Sequence, residues 1–329
     1  MERDNQYLRG KKMSGKDRLK STMLCIGLIA ICMAGCGTAD ENSETGENVM
    51  ADANTNANDT AVVTDEAAAG QEDGTDQKVD EAQDAADIAE EGIVLEGLGL
   101  SILGDSISTY DGYIPTGFNV FYPLSGELTS VSQTWWMQLM DDTGMELCAN
   151  NSSAGSTCVG DSLSIDNPQY GCSGLRTSLL NGEQGRMPDV IIIYMGTNDL
   201  LNGIPLGDND GTSLVEEGII ENFSDAYSLI LDKMASDYPI ATVYCCTLPP
   251  IGDWGIAQPF EIFTNHLGLT SEDYSEQIRV IAGNKGASVI ELSDCGIEID
   301  NLSEMTTDGV HFNTKGMKCI AQAMLNGLK

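Results

Sequence analysis

Histidine is nearly missing from this 329-residue chain, which has only His266 and His311. No CxxC or HExxH pattern accompanies them, so neither a zinc site nor any other metal or cofactor is expected. Basic side chains are scarce too: 16 Lys and Arg stand against 51 Asp and Glu, for a net charge of −35. Such a surface repels phosphate backbones, which excludes nucleic acid as a partner. Long apolar runs are also lacking. The best, Met23 to Ala34, is too short to cross a bilayer comfortably.

That run has a meaning of another kind. It follows Arg3, Arg9, Lys11, Lys12, Lys16, Arg18 and Lys20, the layout of a signal peptide. It closes on Met33-Ala34-Gly35-Cys36, which is similar to a bacterial lipobox, whose cysteine becomes the acylated first residue of the mature protein. Residues 1–35 are therefore expected to be a lipoprotein signal peptide and Cys36 the lipid anchor, holding the protein to the outer face of the bacterial cell membrane. Residues 37–92 carry seventeen acids, one base (Lys78) and no aromatic residue. They cannot bury enough apolar surface to offset the entropy of ordering, and are expected to form a disordered acidic tether. Its span would be on the order of 40 Å.

Residues 93–329 remain for a folded domain, with 31 acids and 8 bases. Apolar runs bounded by turn signals occur at Leu98 to Leu103, Glu146 to Ala149, Val190 to Met195, Ala241 to Thr247 and Ser288 to Leu292, near-continuous as in strands covered on both faces. Segments of helical composition alternate with them: Thr134 to Asp142, Val215 to Ser236, Glu272 to Asn284 and Thr314 to Leu325. The alternation predicts an α/β fold with a doubly wound, mostly parallel five-stranded sheet and helices on both faces. The domain's seven cysteines cannot all pair. Cys148, Cys245 and Cys246 fall in strands expected to be buried, while a Cys158 to Cys172 bridge stays open. Leu206 to Glu217 is spaced like a calcium loop but has Leu206 where the first ligand should stand, so it reads as a polar loop.

Sheets of this kind bind ligands beyond the carboxyl ends of their strands. Four polar segments fall there: Gly104-Asp105-Ser106, Asn150 to Gly155, Gly196-Thr197-Asn198-Asp199 and Asp308-Gly309-Val310-His311. Their order and content resemble the SGNH (GDSL-like) hydrolases, whose blocks supply Ser from GDS, a Gly, Asn from GxND and His from DxxH. The resemblance covers roughly residues 93 to 329 and implies a flavodoxin-like sheet. It also implies Ser106 as nucleophile, with an oxyanion hole made of the Ser106 and Gly155 N–H groups and the Asn198 amide.

The chemistry calls for these residue types. A serine hydroxyl needs a base, and imidazole serves near neutral pH. His311 is the better candidate because His266 has no DxxH context; Asp308, three residues earlier, is close enough to fix the imidazole tautomer. Asp105 and Asp199 read as loop-holding residues. A G-x-S-x-G elbow is absent, against an α/β-hydrolase. Seven of the nineteen aromatics lie between Tyr110 and Trp136. Trp135 and Trp136 are not both expected to face inward, so at least one should line a surface or cleft able to stack on sugar rings. The long loop Leu248 to Gly268, with Trp254 and Phe260, is expected to help shape the substrate pocket. Together these features point to an extracellular serine esterase releasing short acyl groups, acetyl foremost, from a small molecule or glycan. An O-acyltransferase acting on cell-surface glycans and a non-catalytic surface binding lipoprotein are the alternatives. Oligomeric state is not legible.

Overall fold

A computed structural model describes residues 94–253 and 258–328. The expected signal peptide, Cys36, the tether and Trp254 lie outside the described residues. Five strands form a parallel sheet: β1 (Gly99–Gly104), β2 (Glu146–Ser152), β4 (Val190–Tyr194), β6 (Thr242–Cys246) and β7 (Ser288–Ile290), in the order β2-β1-β4-β6-β7. β1 and β4 are wholly buried, as their continuous apolar runs require. A separate antiparallel ribbon joins β3 (Gly160–Asp161) to β5 (Ile219–Ile220).

Among the described residues seven α-helical segments accompany the strands: α1 (Trp135–Thr143), α2 (Gly174–Thr177), α3 (Thr197–Asn202), α4 (Phe223–Asp237), α5 (Ser271–Lys285), α6 (Leu302–Met305) and α7 (Thr314–Gly327). Helix α1 packs on α7 and α4 on α5, a pair of layers about the doubly wound sheet. No helix among the described residues is long and apolar enough to cross a membrane. Local chemistry sets the helix limits. The Thr134 hydroxyl accepts from Met137 N at 3.3 Å to start α1, and Gly144, left-handed at φ 74°, ends it. Asn313 accepts from Lys315 N at 2.9 Å to start α7.

The structure corrects three expectations. The helix expected from Val215 begins only at Phe223, because Asn222 caps it by accepting from Asp225 N at 2.9 Å and the preceding Ile219–Ile220 pairs with β3. Trp135 and Trp136 are both fully buried. They sit at the first turn of α1, where each indole N–H reaches the same residue: Trp135 Nε1 donates to Ser108 Oγ at 3.1 Å and Trp136 Nε1 to the Ser108 carbonyl at 3.0 Å. Helical periodicity does not separate two residues when the turn they face wraps around both. Cys148 is only half-buried, since β2 is an edge strand, whereas Cys245 and Cys246 are buried as expected. All seven described cysteines are free thiols; Cys158 and Cys172 are buried side by side, with Cys172 N donating to the Cys158 carbonyl at 3.0 Å.

Candidate active site

The neighbouring β1 and β4 strand ends flank the point where the chain reverses its direction of winding, β2 and β1 on one side and β4, β6 and β7 on the other. Loops at such a point leave in opposite directions and open a crevice. Gly104-Asp105-Ser106 leaves β1 there and Gly196-Thr197-Asn198 leaves β4. The turn into Ser106 is tight. A Cβ on Gly104 would lie 2.6 Å from Ser152 Oγ and 2.8 Å from Ser108 Cβ, so only glycine fits. Asp105 then accepts from Ile107 N at 3.0 Å and caps the short 3₁₀ turn Ser106–Ser108.

The structure joins Ser106, His311 and Asp308 into one hydrogen-bonded chain. Ser106 Oγ lies 2.9 Å from His311 Nε2, and His311 Nδ1 lies 2.8 Å from Asp308 Oδ2. Ser106 is 5% and His311 6% exposed, so the contact is shielded while still open to a reactant. Asp308 Oδ1 accepts from Val310 N at 3.0 Å and His311 N at 2.8 Å, which folds the DGVH turn over its own carboxylate. Burial alone would raise the Asp308 pKa. The hydrogen bond and charge of His311, with the two backbone N–H donors, outweigh it and hold the carboxyl below its usual range. Gly309, left-handed at φ 92°, permits that turn, and Gly252 N donates to its carbonyl at 2.8 Å. Phe260 packs against both glycines, so the loop expected to shape the pocket also braces the turn that carries His311.

Gly155 and Asn198 lie together on the other side. The Asn198 amide donates to the Ser156 carbonyl at 3.0 Å, leaving its second N–H available. Oriented to satisfy both ends of its amide, Gln169 donates to the Ala154 and Gly155 carbonyls at 3.3 Å each. Because a trans peptide points its N–H opposite its carbonyl, holding the Ala154 carbonyl turns the Gly155 N–H away from Gln169. Neither Gly155 N–H nor Ser106 N–H makes a backbone hydrogen bond among the described residues. Ser153 N donates to the Gly104 carbonyl at 3.2 Å, which sets this loop beside the Ser106 turn.

Two buried acids hold loops. Burial raises the Asp199 carboxyl to about 7, against the pull of the Cys158 and Val159 N–H groups that it accepts at 2.8 and 3.4 Å. Burial raises Asp105 to about 6, against the Ile107 N–H and the nearby His311. His266 lies on an exposed loop against the Gly203 turn that ends α3.

Sequence reasoning missed Arg176. Its guanidinium is fully buried and donates to the Gly104 carbonyl at 2.6 Å, Asn151 Oδ1 at 3.0 Å, the Asn151 carbonyl at 3.1 Å and the Pro168 carbonyl at 2.5 Å. It bolts together the carboxyl ends of β1 and β2 directly behind Ser106. A lone arginine in a one-turn helix carries no motif, and the only local signal was its rarity among the domain's 8 bases. The calcium-like loop is closed on itself: Asp210 Oδ1 accepts from the Thr212 N–H and hydroxyl, and Glu217 pairs with Lys233 at 2.7 Å.

A family model described as GDSL-like Lipase/Acylhydrolase matches residues 98–253. No curated protein matches the chain. Among solved structures, a GDSL-like lipase from Bacteroides ovatus is 27% identical, with a TM-score of 0.50 over 70% of this chain and 96% of that one. A GDSL-like lipase from Bacteroides uniformis, 24% identical at TM-score 0.50 (70% and 94% covered), and a protein from Lactobacillus plantarum, 20% identical at 0.53 (70% and 96% covered), share the fold. The match runs through the first three blocks, and with all four gathered at one sheet edge the chain is similar to the GDSL-like, or SGNH, hydrolases.

Proposed function

We propose that the protein is a serine esterase that removes short acyl groups, acetyl foremost, from carbohydrate through an acyl-enzyme on Ser106. The carrying observation is the chain Ser106 Oγ, His311 Nε2, His311 Nδ1, Asp308 Oδ2, with links of 2.9 and 2.8 Å. In the reaction, Ser106 Oγ attacks the ester carbonyl while its proton passes to His311 Nε2. The carbonyl oxygen takes the electron pair, facing the Ser106 and Gly155 N–H groups and the Asn198 amide. Collapse expels the sugar alkoxide, which takes the proton from His311. Water, deprotonated by His311, then attacks the acyl-serine and releases the carboxylic acid and free Ser106.

Substrate choice rests on charge and surface. The domain's excess of 31 acids over 8 bases disfavours anionic bilayers, so acetylated neutral glycans suit it better than phospholipid. Aromatic support for sugar binding is narrower than the sequence implied, since Tyr122, Trp135 and Trp136 are core; Tyr113, 40% exposed and 5.5 Å from the Trp136 ring, is the most open of the seven, with Tyr110, Phe118 and Phe121 half-buried. Cys36 is proposed to be acylated and to hold the domain outside the cell membrane, with 37–92 as its tether; an unmodified Cys36 in the mature protein by mass spectrometry would remove that anchor.

The test compares acetyl, butyryl and octanoyl esters of one leaving group and then measures acetate released from acetylated glycans, with Ser106→Ala and His311→Ala as controls. The expected result is a preference for acetyl, acetate from at least one glycan, and turnover lowered by about a thousandfold or more in both variants. Octanoyl preference with no acetate from any glycan would overturn the substrate, and near-normal turnover by Ser106→Ala the mechanism.

A further inference from the structure

The segment Asn119–Tyr122 belongs to none of the four blocks, yet it is tied to three of them. The Asn119 carbonyl accepts from Ala154 N at 2.8 Å and its N–H donates to Ser153 Oγ at 3.3 Å, which registers the segment to the loop carrying Gly155. Phe121 N donates to Thr109 Oγ1 at 2.9 Å, and that hydroxyl donates to the Ser106 carbonyl at 2.9 Å. The nucleophile's own turn is thereby included. Tyr122 OH donates at 2.8 Å to the carbonyl of Phe312, the residue after His311. Between these ties the Phe121 ring lies flat on the His311 imidazole, centroids 3.6 Å apart and planes 11° from parallel. The Tyr122 ring meets the same imidazole edge-on at 6.5 Å.

We infer that Asn119–Tyr122 is a positioning element of this site, with Phe121 holding the His311 imidazole in the plane that joins Asp308 to Ser106. The inference rests on the proposed serine mechanism and adds a residue to it. Hydrogen bonds at Nδ1 and Nε2 hold the imidazole at its edge, and neither braces the ring across its faces. A ring stacked on one face braces it against tilting and keeps water off the face. A flat aromatic is needed for this. An aliphatic side chain fills similar space but contacts the imidazole at a few methyl groups, which do not define a plane. Because proton transfer depends steeply on donor–acceptor alignment, the effect falls on kcat and leaves substrate binding nearly untouched.

The full chain carries only two histidines, so the His311 ring protons are readily told from those of His266 by NMR. In the wild type they are expected upfield, under the ring current of Phe121. Phe121→Leu should lose that upfield shift and lower kcat about tenfold or more while KM changes less than about twofold. Phe121→Tyr should keep the shift and stay within about threefold of the wild-type kcat. Wild-type kcat in Phe121→Leu, with Ser106→Ala inactive, would overturn the positioning role and leave the serine mechanism standing. Equal loss in the Leu and Tyr variants, with the shift retained in Tyr, would also overturn it. An active Ser106→Ala would overturn both.

Discussion

Replacing Arg176 by Met should cost much of the domain's stability, and the cost can be worked from its contacts. Methionine fills most of the side-chain volume but offers no donor to the Gly104, Asn151 and Pro168 carbonyls or to Asn151 Oδ1. Four acceptors then lose this donor, although the Gly104 carbonyl keeps the Ser153 N–H and Pro168 is only partly buried. At about 1 kcal/mol net for each, the loss is on the order of 4 kcal/mol, out of the roughly 5–15 kcal/mol that holds an ordinary domain folded. An opposing effect reduces it: the guanidinium is buried without a carboxylate in ion-pair contact among the described residues, and burial lowers its pKa, so removing the charge relieves some desolvation. The expected net loss is about 3 kcal/mol. Arg176→Lys should lose less, because the charge stays, but one ammonium cannot span acceptors on three segments. Equilibrium urea unfolding followed by the fluorescence of buried Trp135 and Trp136 reads the difference. A Met variant within about 1 kcal/mol of wild type would refute the view that this arginine holds the strand ends together.

Two further outcomes follow from the same geometry. Asn198→Ala should lower kcat about a hundredfold, because it removes the amide donor proposed to face the developing oxyanion, and an unchanged kcat would take Asn198 out of that role. Asp105, whose folded-state pKa of about 6 exceeds the ordinary 3.8, keeps a proton that the unfolded chain has already released. Its contribution is therefore fully present below pH 3.8 and is lost as pH rises through about 6, a fall on the order of 3 kcal/mol that Asp105→Asn should lack. Melting temperatures measured across that window would show equal slopes for both proteins if Asp105 were not the titrating group.

Most of the sheet was legible because strands covered on both faces must be apolar along their length, and Val190 to Met195 could hardly be anything else. The helix starts expected at Thr134 and Thr314 lie within a residue of the observed ones, where Thr134 and Asn313 cap backbone N–H groups, a purely local property. Order along the chain was also enough to single out the blocks carrying Ser106, Asp308 and His311, which the structure joins by hydrogen bonds, since each block's chemistry is tied to its neighbours. What the sequence could not determine depends on contacts across distance. That Trp135 and Trp136 are both buried follows from where Ser108 lies, 27 and 28 residues earlier. Arg176 became part of the site only when β1 and β2 were laid side by side. Phe121 met His311 only when a loop of no recognisable pattern closed over the crevice, 190 residues away in the chain. Local chemistry is written in adjacent residues, whereas the partner of a buried charge or of a stacked ring is chosen by the packing of segments that the linear order keeps apart.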